Sequence, residues 1–455
     1  MEKAIIYQML PRLWGEGKMS SVDSETLNYL KKLGISHVWY TGIIEHSTCQ
    51  PFVKGNPGSP YAISNYYNVN PYLADNEKNA IDEFKSLVKR THEHGMKVLI
   101  DFVPNHVGRN YKDGRGEIPH FDYSDYDWTD TYKINYSHPN TWETLKGILK
   151  HWLSMGVDGF RCDMVEMVPP EFFKWVIAQI KEEFPGTLFI AEVYKKECYY
   201  QYIKEVGFDY LYDKSGMYDV LRGIAAGWGS TKSITWNWQS LGDLQPNMLN
   251  FLENHDEQRI ASPWFTGEGE NWAYLYSSLM LNKAAFMLYF GGEVGITAEE
   301  GHEGRTNIFN FCHPEALDRL WKYVHEGRGL RRSETGILAG YRRALALANR
   351  PCIQNGLTFD LNYCQKAENG FDFDKDYVFI RKSSNKTNKL KNETILFFCN
   401  FSKKCTENGT KSGKVARVTI PDHAFDYLHL ERNSDLMEKG VEVDVKYGEC
   451  TLVKL

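Results

Sequence analysis

Carboxylate side chains follow four short apolar runs of the sequence. One stands at or just after the end of each run: Asp101, Asp163, Glu192 and Asp256. Cleavage of an acetal needs one protonated carboxyl group for the leaving oxygen and one carboxylate to stabilise or capture the oxocarbenium ion. Arg161 precedes Asp163 by two residues, so on a strand both side chains point to the same side and the guanidinium can hold the carboxylate ionised. These residues are therefore suited to cleaving a glycosidic bond, provided that the fold brings them together.

The elements that must bring them together are short β-rich runs that alternate with amphipathic helical runs. Glu77–His94 predicts a helix that Gly95 ends, and the apolar run Met96–Val103 predicts a parallel strand covered on both sides. Near the end of the pattern we predict a helix over Trp272–Phe286 and a strand over Met287–Phe290. Eight such strands favour the α/β class and a (β/α)₈ TIM barrel, in which functional groups gather at the carboxyl ends of the strands.

The alternation is interrupted in two places. A polar, aromatic stretch without a clear period follows the third strand, and short alternating runs replace the helices after about residue 350. We therefore predict a catalytic barrel from residues 1–106 and 141–350, a short B-domain insertion over residues 107–140, and a C-terminal antiparallel β-sandwich over residues 351–455.

Composition narrows the range of partners and compartments. The net charge of −6 over 455 residues, with no basic block, argues against a nucleic-acid surface, and no apolar run is long enough to predict a membrane segment. Nine cysteines occur without a CxxC pair, and the start Met1-Glu2-Lys3 does not resemble a signal peptide. We expect a cytoplasmic protein with reduced thiols. Its oligomeric state is not indicated.

Four short motifs appear in a specific order along the chain. They are Asp101–His106, which reads DFVPNH; Gly159–Asp163, which reads GFRCD; Glu192 after an apolar strand; and Phe251–Asp256, which reads FLENHD. In this order and at these separations they resemble the signature regions of the α-amylase family of glycoside hydrolases. Ile134–Tyr136 and Ser59–Tyr67 are similar to two further segments of that family, and the resemblance covers essentially the whole chain.

The resemblance implies a role for each site residue. Asp163 would be the nucleophile, Glu192 the general acid/base and Asp256 a helper carboxylate that grips the sugar ring, while Asp101 would support the site from behind. The substrate-binding residues would be Tyr61, which stacks on the sugar, Arg161, which orients Asp163, and His106 and His255, which hydrogen-bond the sugar. The implied activity is retaining hydrolysis of α-1,4-glucosidic bonds in maltooligosaccharides or starch-like glucans.

The aglycone side departs from the family pattern. Where typical α-amylases have a Lys-His pair after the nucleophile, this chain has Glu166-Met167. A 4-α-glucanotransferase or an exo-acting α-glucosidase would use the same three carboxylates, so both stay open as alternatives. A glycan-binding protein without activity is a further alternative, although such proteins usually lack a catalytic carboxylate and this chain has all three.

No cofactor is required by this chemistry, but a structural calcium ion is compatible with the resemblance. Asn105 corresponds to a calcium ligand in many family members, and the insertion supplies further oxygen ligands: Asp122, Asp125, Asp127 and Asp130. Trp236 and Trp238 flank a predicted loop, where they either pack in the core or contact sugar. Glu293 follows the eighth strand, and we expect a structural role for it.

Overall fold

Eight parallel strands close into a barrel in the computed structural model. The model describes residues 3–112, 118–297, 303–312, 314–383, 393–403, 406–407 and 410–455. The barrel strands, first to eighth, are Ile5–Met9, His37–Tyr40, Lys97–Phe102, Gly159–Cys162, Leu188–Ala191, Tyr210–Tyr212, Met248–Phe251 and Ala285–Tyr289. Each strand pairs with its sequence neighbours, and the eighth pairs with the first. The predicted TIM barrel is confirmed.

Strand register places the first charged groups of the site side by side. The third strand pairs with the fourth so that Asp101 lies opposite Arg161. Beyond the paired residues, the main-chain N–H of Asp163 donates to Phe102 and that of Glu192 donates to Cys162. Both carboxylates therefore leave the barrel directly at the carboxyl ends of their strands, where the strand backbone still fixes their direction.

Helices form the outer layer. The longer ones are Ser24–Lys32, Ala80–Glu93, Thr141–Leu153, Pro170–Glu183, Asp219–Ala226, Lys232–Leu241, Trp272–Met280, Glu315–Glu326 and Arg332–Ala348. Ala80–Glu93 shows why they form: Phe84, Leu87 and Val88 recur at helical spacing on one buried face, and the chain then turns at Gly95 with φ of +71°. Two segments, Gln201–Val206 and Lys214–Tyr218, are π-helical. None of the helices among the described residues is both long and apolar enough to cross a membrane.

The predicted helix over Trp272–Phe286 was too long. The helix ends at Met280, and the eighth strand begins at Ala285 rather than Met287. The whole run is apolar and buried, so its periodicity could not mark the border between helix and strand. Backbone pairing sets the start of the strand, because the N–H of Phe286 donates to the carbonyl oxygen of Ala4 and the following residues pair with the first strand.

Excursions after the second and third strands carry residues of the site. Ile44–His46 and Ile63–Val69 form an antiparallel hairpin after the second strand. After the third strand, His106–Gly108 pairs with Thr131–Lys133. The second of these hairpins lies in the predicted insertion, although the domain boundaries themselves stay a prediction.

Two main antiparallel sheets follow the barrel, besides a short ladder between Thr406–Glu407 and Thr410–Lys411. The larger contains Leu357–Asp360, Asp376–Lys382, Thr394–Asn400 and Cys450–Lys454, and the smaller contains Gly413–Val418 and Val441–Lys446. They enclose an apolar core of their own with the helix Asp422–Leu428. A sandwich of this kind is what alternating apolar residues on both sheets require. The eight cysteines described are free thiols, and Cys405 lies outside the described residues.

A buried arginine joins the larger sheet to the barrel. Arg381 donates hydrogen bonds to the carbonyl oxygens of Met280 at 3.0 Å, Ile353 at 2.7 Å and Cys352 at 3.1 Å. The Met280 carbonyl belongs to the last turn of a barrel helix, where backbone acceptors lack partners within the helix. Burial lowers the pKa of Arg381 to about 10. The arginine thus satisfies carbonyls from both parts of the chain.

Replacing Arg381 by methionine should therefore lower the free energy of unfolding by about 3 kcal/mol or more, because several buried carbonyl groups lose their donor. Equilibrium unfolding in urea measures this change. Arg417→Met is the control, since Arg417 is largely exposed on the smaller sheet in a loose ion pair with Glu442, and should change stability by about 0.5 kcal/mol or less. Equal effects of the two substitutions would contradict the role of Arg381 as the link.

Candidate active site

A cavity of about 290 Å³ opens at the carboxyl ends of the barrel strands. The predicted site residues Tyr61, His106, Asp163, Glu192, His255 and Asp256 line it. Its other walls are formed by Lys54, Ser59, Trp128, Asp130, Thr131, Met164, Tyr194, Ile308 and Phe309. The structure therefore brings six of the seven predicted residues to one cavity, and the seventh, Arg161, contacts three of them from behind.

Arg161 lies beneath the cavity, fully buried, and contacts the carboxylates on both sides. One terminal nitrogen donates a hydrogen bond to Asp163 Oδ1 at 2.5 Å. The other lies 2.8 Å from Glu192 Oε2, but without the alignment of a hydrogen bond. Asp101 and Asp256 are more distant, at 3.7 and 4.0 Å. Arg161 therefore has its best-directed contact with Asp163.

Aromatic rings enclose the guanidinium. Its central carbon lies 5.4 to 5.5 Å from the ring centres of Trp39, Tyr61 and Tyr212. Burial alone would lower the pKa of Arg161, but the carboxylates, Glu192 foremost, raise it well above its usual value. A permanent positive charge fixed by rings and carboxylates can stabilise negative charge in the site without rearranging.

Two opposing effects, burial and the charge of Arg161, act on the pKa values of Asp163 and Glu192. Burial raises the pKa of Asp163, and the Arg161 contact and hydrogen bond counteract it. Burial also raises the pKa of Glu192, where Arg161 counteracts it and the neighbouring Asp163 adds to the rise. When like charges are this close, one of the pair keeps a proton more readily. The aligned hydrogen bond favours the ionised form of Asp163, and hence a proton on Glu192.

Glu192 has two further donors. The main-chain N–H of Met164 donates to its Oε2 at 2.8 Å, and the Tyr194 hydroxyl donates to its Oε1 at 2.6 Å. Met164 has a φ of +44°, a left-handed conformation that is costly for a residue with a side chain. This turn directs the Met164 N–H at Glu192, so the segment that carries Asp163 also fixes Glu192.

Asp256 is held by the neighbouring histidine at the open side of the cavity. His255 Nε2 lies 3.0 Å from Asp256 Oδ2 and 2.6 Å from the Tyr61 hydroxyl, and Gln8 Nε2 lies 2.7 Å from His255 Nδ1. The Asp256 side chain is 41% exposed, whereas those of Asp163 and Glu192 are 8% and 4% exposed. Asp256 is thus the carboxylate most accessible to an incoming ligand.

The pKa of Asp256 moves in the opposite direction to those of the other two. Desolvation would raise it, but His255 and then Arg161 outweigh that effect and leave the pKa below its usual value. An accessible carboxylate that stays ionised can accept hydrogen bonds from sugar hydroxyls. The family resemblance implies this role for Asp256, and the role stays a prediction.

The remaining predicted residues occupy distinct positions. Tyr61 stacks on His255, with ring centres 5.2 Å apart, and exposes part of its ring to the cavity. Burial lowers the pKa of His106 to about 4, so it is neutral near pH 7, and its ring packs against Trp128. Asp101 accepts hydrogen bonds from Trp39 at 3.1 Å and Tyr61 at 3.2 Å, and does not line the cavity.

Several residues of the site were not predicted. Tyr194 had a usable signal, because it follows Glu192 by two residues and so points to the same side of an extended chain. Gln8 orients His255 from the first strand, and Trp128 covers His106 from the insertion. Neither had a local signal, since the contact of Gln8 spans 247 residues and Trp128 lies in a stretch without periodicity.

Two tryptophans considered in the sequence analysis do not belong to the site. Trp236 and Trp238 lie in the helix Lys232–Leu241, not beside a loop, and neither lines the cavity. Trp238 packs against the core, and Trp236 is exposed. Ile234, Trp238 and Leu241 recur at helical spacing and face the core, a pattern that is typical of an amphipathic helix. Glu293 is fully buried and accepts hydrogen bonds from Tyr7 and Tyr29, as expected of a structural carboxyl group.

Among the candidate calcium ligands, Asp125 is engaged by a cationic and an amide donor. Asp125 accepts the ammonium of Lys133 at 2.8 Å on one oxygen and the Asn105 amide at 3.0 Å on the other. Asp122 and Asp127 are exposed, and Asp130 lines the active cavity. Calcium needs six to eight oxygen ligands. A carboxylate with both oxygens taken by N–H donors does not fit that requirement.

Elsewhere among the described residues, one group of side chains lies close enough together to hold a metal ion. The one group whose ligand atoms all approach within 4.8 Å of one another is Asp23, Glu25 and His325 on the outer helices. None of the candidate calcium ligands belongs to it. Asp23 already caps the helix Ser24–Lys32 by accepting the N–H of Thr26, so this group has a structural explanation.

Part of this chain matches a known family model, and longer stretches are similar to known enzymes. Residues 14–145 match the family model described as "Alpha amylase, catalytic domain". A Beta/alpha-amylase from Paenibacillus polymyxa is 25% identical over 443 residues, which is 88% of this chain and 32% of that protein. An alpha-1,4-glucan:maltose-1-phosphate maltosyltransferase from Picrophilus torridus is 26% identical over 216 residues, 42% of this chain and 33% of that protein. The chain thus spans about a third of the length of these relatives.

Solved structures resemble the whole chain. A noncanonic maltogenic alpha-amylase AmyB from Thermotoga neapolitana superposes with a TM-score of 0.70 at 21% identity, covering 99% of this chain and 96% of that one. At this identity the likeness establishes the barrel and its accompanying sheets rather than the reaction. The matched family model, the relatives and the four motifs gathered around one cavity all make this chain similar to the α-amylase family.

Proposed function

We propose that the protein is a retaining α-glycoside hydrolase that cleaves α-1,4-glucosidic bonds in maltooligosaccharides or starch-like glucans. The observation that carries this proposal is the arrangement of Asp163, Glu192 and Asp256 around Arg161 in one cavity. Two carboxyl groups that contact the same guanidinium are close neighbours. A retaining mechanism needs such neighbours, separated by roughly 5–5.5 Å.

In the proposed reaction Asp163 attacks the anomeric carbon while Glu192 gives its proton to the departing oxygen. The bond to the leaving sugar breaks, and a covalent glycosyl ester of Asp163 forms. Glu192, now ionised, then takes a proton from water, which attacks the same carbon and releases Asp163. Asp256 holds ring hydroxyls throughout, and Tyr61 supports the apolar face of the sugar.

The size of the cavity and the names of the relatives support an α-glucan substrate. A cavity of about 290 Å³ holds one or two sugar rings, with the remaining chain outside. The relatives include amylases and a glucan maltosyltransferase. Since the chain spans only a third of the first of these proteins, substrate and reaction type need direct measurement.

Incubation with maltoheptaose tests the proposal, with products followed over time by chromatography and the Asp163→Asn variant as the inactive control. Shorter oligosaccharides or glucose alone would establish hydrolysis, and their sizes would separate endo from exo action. Products longer than maltoheptaose would establish a 4-α-glucanotransferase, because a sugar hydroxyl would then replace water at the intermediate. Binding of maltoheptaose without any product would leave a glycan-binding protein and overturn the proposal.

We also propose that the enzyme needs no metal, because the Lys133 ammonium occupies the position at Asp125 that a cation would take. Activity and melting temperature should both be unchanged after treatment with EDTA. Lys133→Met should destabilise the fold by about 1.5–3 kcal/mol, since Asp125 loses its charged partner. Lys150→Met, which breaks a more exposed pair with Glu183, should have a smaller effect. Loss of activity on chelation, restored by Ca²⁺, would contradict this proposal.

The remaining expectations rest on the sequence alone. A cytoplasmic location, and the lack of nucleic-acid and membrane partners, stay predictions. The proposed soluble oligosaccharide substrate would suit such a location.

A further inference from the structure

The segment that follows Glu192 is held in place by a carboxylate from the preceding strand's loop. Glu166 Oε1 accepts the main-chain N–H groups of Tyr194, at 2.8 Å, and of Lys195. Glu166 lies in the short 3₁₀ helix Val165–Met167, directly after the nucleophile segment. Two backbone N–H groups on one charged acceptor form a strong clamp. Glu166 thus has a defined task at a position where the family pattern differs.

The clamped residue Tyr194 faces the acid. Its hydroxyl donates to Glu192 Oε1 at 2.6 Å, and its ring lines the cavity. Lys214 lies 5.7 Å from the ring centre on another side and pairs with Asp219 and Glu257. The ring is therefore fixed by the Glu166 clamp on its backbone and by a cation on its face.

The two oxygens of Glu192 have different surroundings. Oε2 faces the Met164 N–H and the Arg161 guanidinium, both of which are donors, so a proton on Oε2 would meet repulsion. Among the described residues, the hydrogen-bond partner of Oε1 is the Tyr194 hydroxyl, which can either donate or accept. The acid proton is therefore carried by Oε1. Once it has left, the Tyr194 hydroxyl donates to the new carboxylate, and this bond is stronger than one to the neutral acid.

We propose that Tyr194, clamped by Glu166, is a positioning residue that keeps the acid proton on Oε1 of Glu192 and sets the pH at which that proton is lost. The proposal rests on the glycosidase function argued above. It adds a pair of residues on the aglycone side, Glu166 and Tyr194, that act on the reaction through Glu192.

The direction of the effect follows from the groups around Glu192. Those that face it are Arg161, Asp163, Asp256, Tyr194 and the Met164 N–H, with His106 across the cavity and Tyr212 and Lys214 behind them. Donation by Tyr194 favours the ionised form and so lowers the pKa of Glu192, against the larger rise that burial causes. Removing the hydroxyl removes a lowering influence. The acid then keeps its proton to higher pH, so activity should persist further into the alkaline range.

The test compares Tyr194→Phe with the wild-type protein, using maltoheptaose, whose leaving sugar needs a proton, and kcat/KM as a function of pH. The alkaline limb of the profile reports the acid of the free enzyme, and it should move upward by roughly one pH unit. Glu166→Ala should move it in the same direction, and Glu166→Gln, which keeps an acceptor oxygen, should restore most of the wild-type profile. Tyr200→Phe, at an exposed tyrosine of the same segment, should leave the limb in place.

The outcomes are separable. An upward shift in both Tyr194→Phe and Glu166→Ala supports the proposal, and a shift in Glu166→Ala alone supports it should Tyr194→Phe fail to fold. A lower kcat/KM with an unmoved alkaline limb in either folded variant would overturn it, because a merely structural residue changes the rate and not the profile. Inactivity of the wild-type protein on 4-nitrophenyl α-maltoside and on maltoheptaose would overturn the glycosidase function itself.

Discussion

Replacing Asp163 by asparagine is expected to lower kcat/KM on maltooligosaccharides by at least about 10⁴-fold, while the protein keeps its fold. In the proposed mechanism Asp163 makes the bond to the anomeric carbon, and an amide oxygen cannot take its place. Asn retains the size of Asp and an acceptor for the Arg161 hydrogen bond, so the cavity should keep its shape. Product chromatography measures the loss, and a thermal unfolding scan checks the fold.

A second substitution at this position distinguishes a nucleophile from a structural carboxylate. Asp163→Gly opens the face of the sugar from which Asp163 attacks, and azide can enter there. With α-maltosyl fluoride and added azide, the variant should form a β-linked glycosyl azide by a single inversion, with Glu192 still protonating the leaving group if needed. More than a few per cent of residual activity in Asp163→Asn, or no azide product in a folded Asp163→Gly, would remove Asp163 from the nucleophile role.

Glu192→Gln should slow hydrolysis of natural glucans by about 10²–10⁴-fold, because the leaving sugar then departs without a proton. Cleavage of α-maltosyl fluoride should be much less affected in its first step, since fluoride needs less assistance. The second step then becomes limiting, because no base activates water. Steady-state kinetics on both substrates measure the contrast, and a burst of fluoride release would reveal the accumulated intermediate.

Added azide should also give a product with Glu192→Gln, and this product should have the opposite stereochemistry to that formed by Asp163→Gly. Azide needs no base and attacks the Asp163 ester from the other face, so Glu192→Gln should yield an α-linked azide. Glu293→Gln is the control, because Glu293 is equally buried but hydrogen-bonds Tyr7 and Tyr29 away from the cavity. It should show the wild-type ratio between the two substrates. Equal losses on glucan and fluoride in Glu192→Gln would argue against the acid role.

The sequence best predicts those site residues that lie at the carboxyl ends of the barrel strands. In a parallel barrel every strand end lies on one rim, so Asp163, Glu192 and Asp256 could be placed together without knowing any distance. Alternation along the strand placed Arg161 beside Asp163. What it could not predict was that the same guanidinium also contacts Glu192, because this depends on the register between two neighbouring strands.

Contacts between distant segments and borders inside apolar runs were beyond sequence reasoning. Gln8 is a single polar residue in an apolar strand, and its partner His255 follows 247 residues later. Lys133 forms an ion pair with Asp125 only because the hairpin brings the two residues close together. The eighth strand begins inside a run that is apolar throughout. In each case tertiary pairing selects among local structures that the sequence allows equally.

Because the eighth strand pairs with the first, the active site can form only after the eighth strand has been synthesised. A nascent chain that has emerged through Asp256 contains all three carboxylates, yet its first strand still has an open edge. Gln8 then has no fixed position from which to orient His255. Ala285–Tyr289 must follow to shut that edge, and Arg381 is made roughly a hundred residues later still. A polypeptide released after residue 280 would therefore carry all three carboxylates and no working site, with two unpaired strand edges that need protection from aggregation.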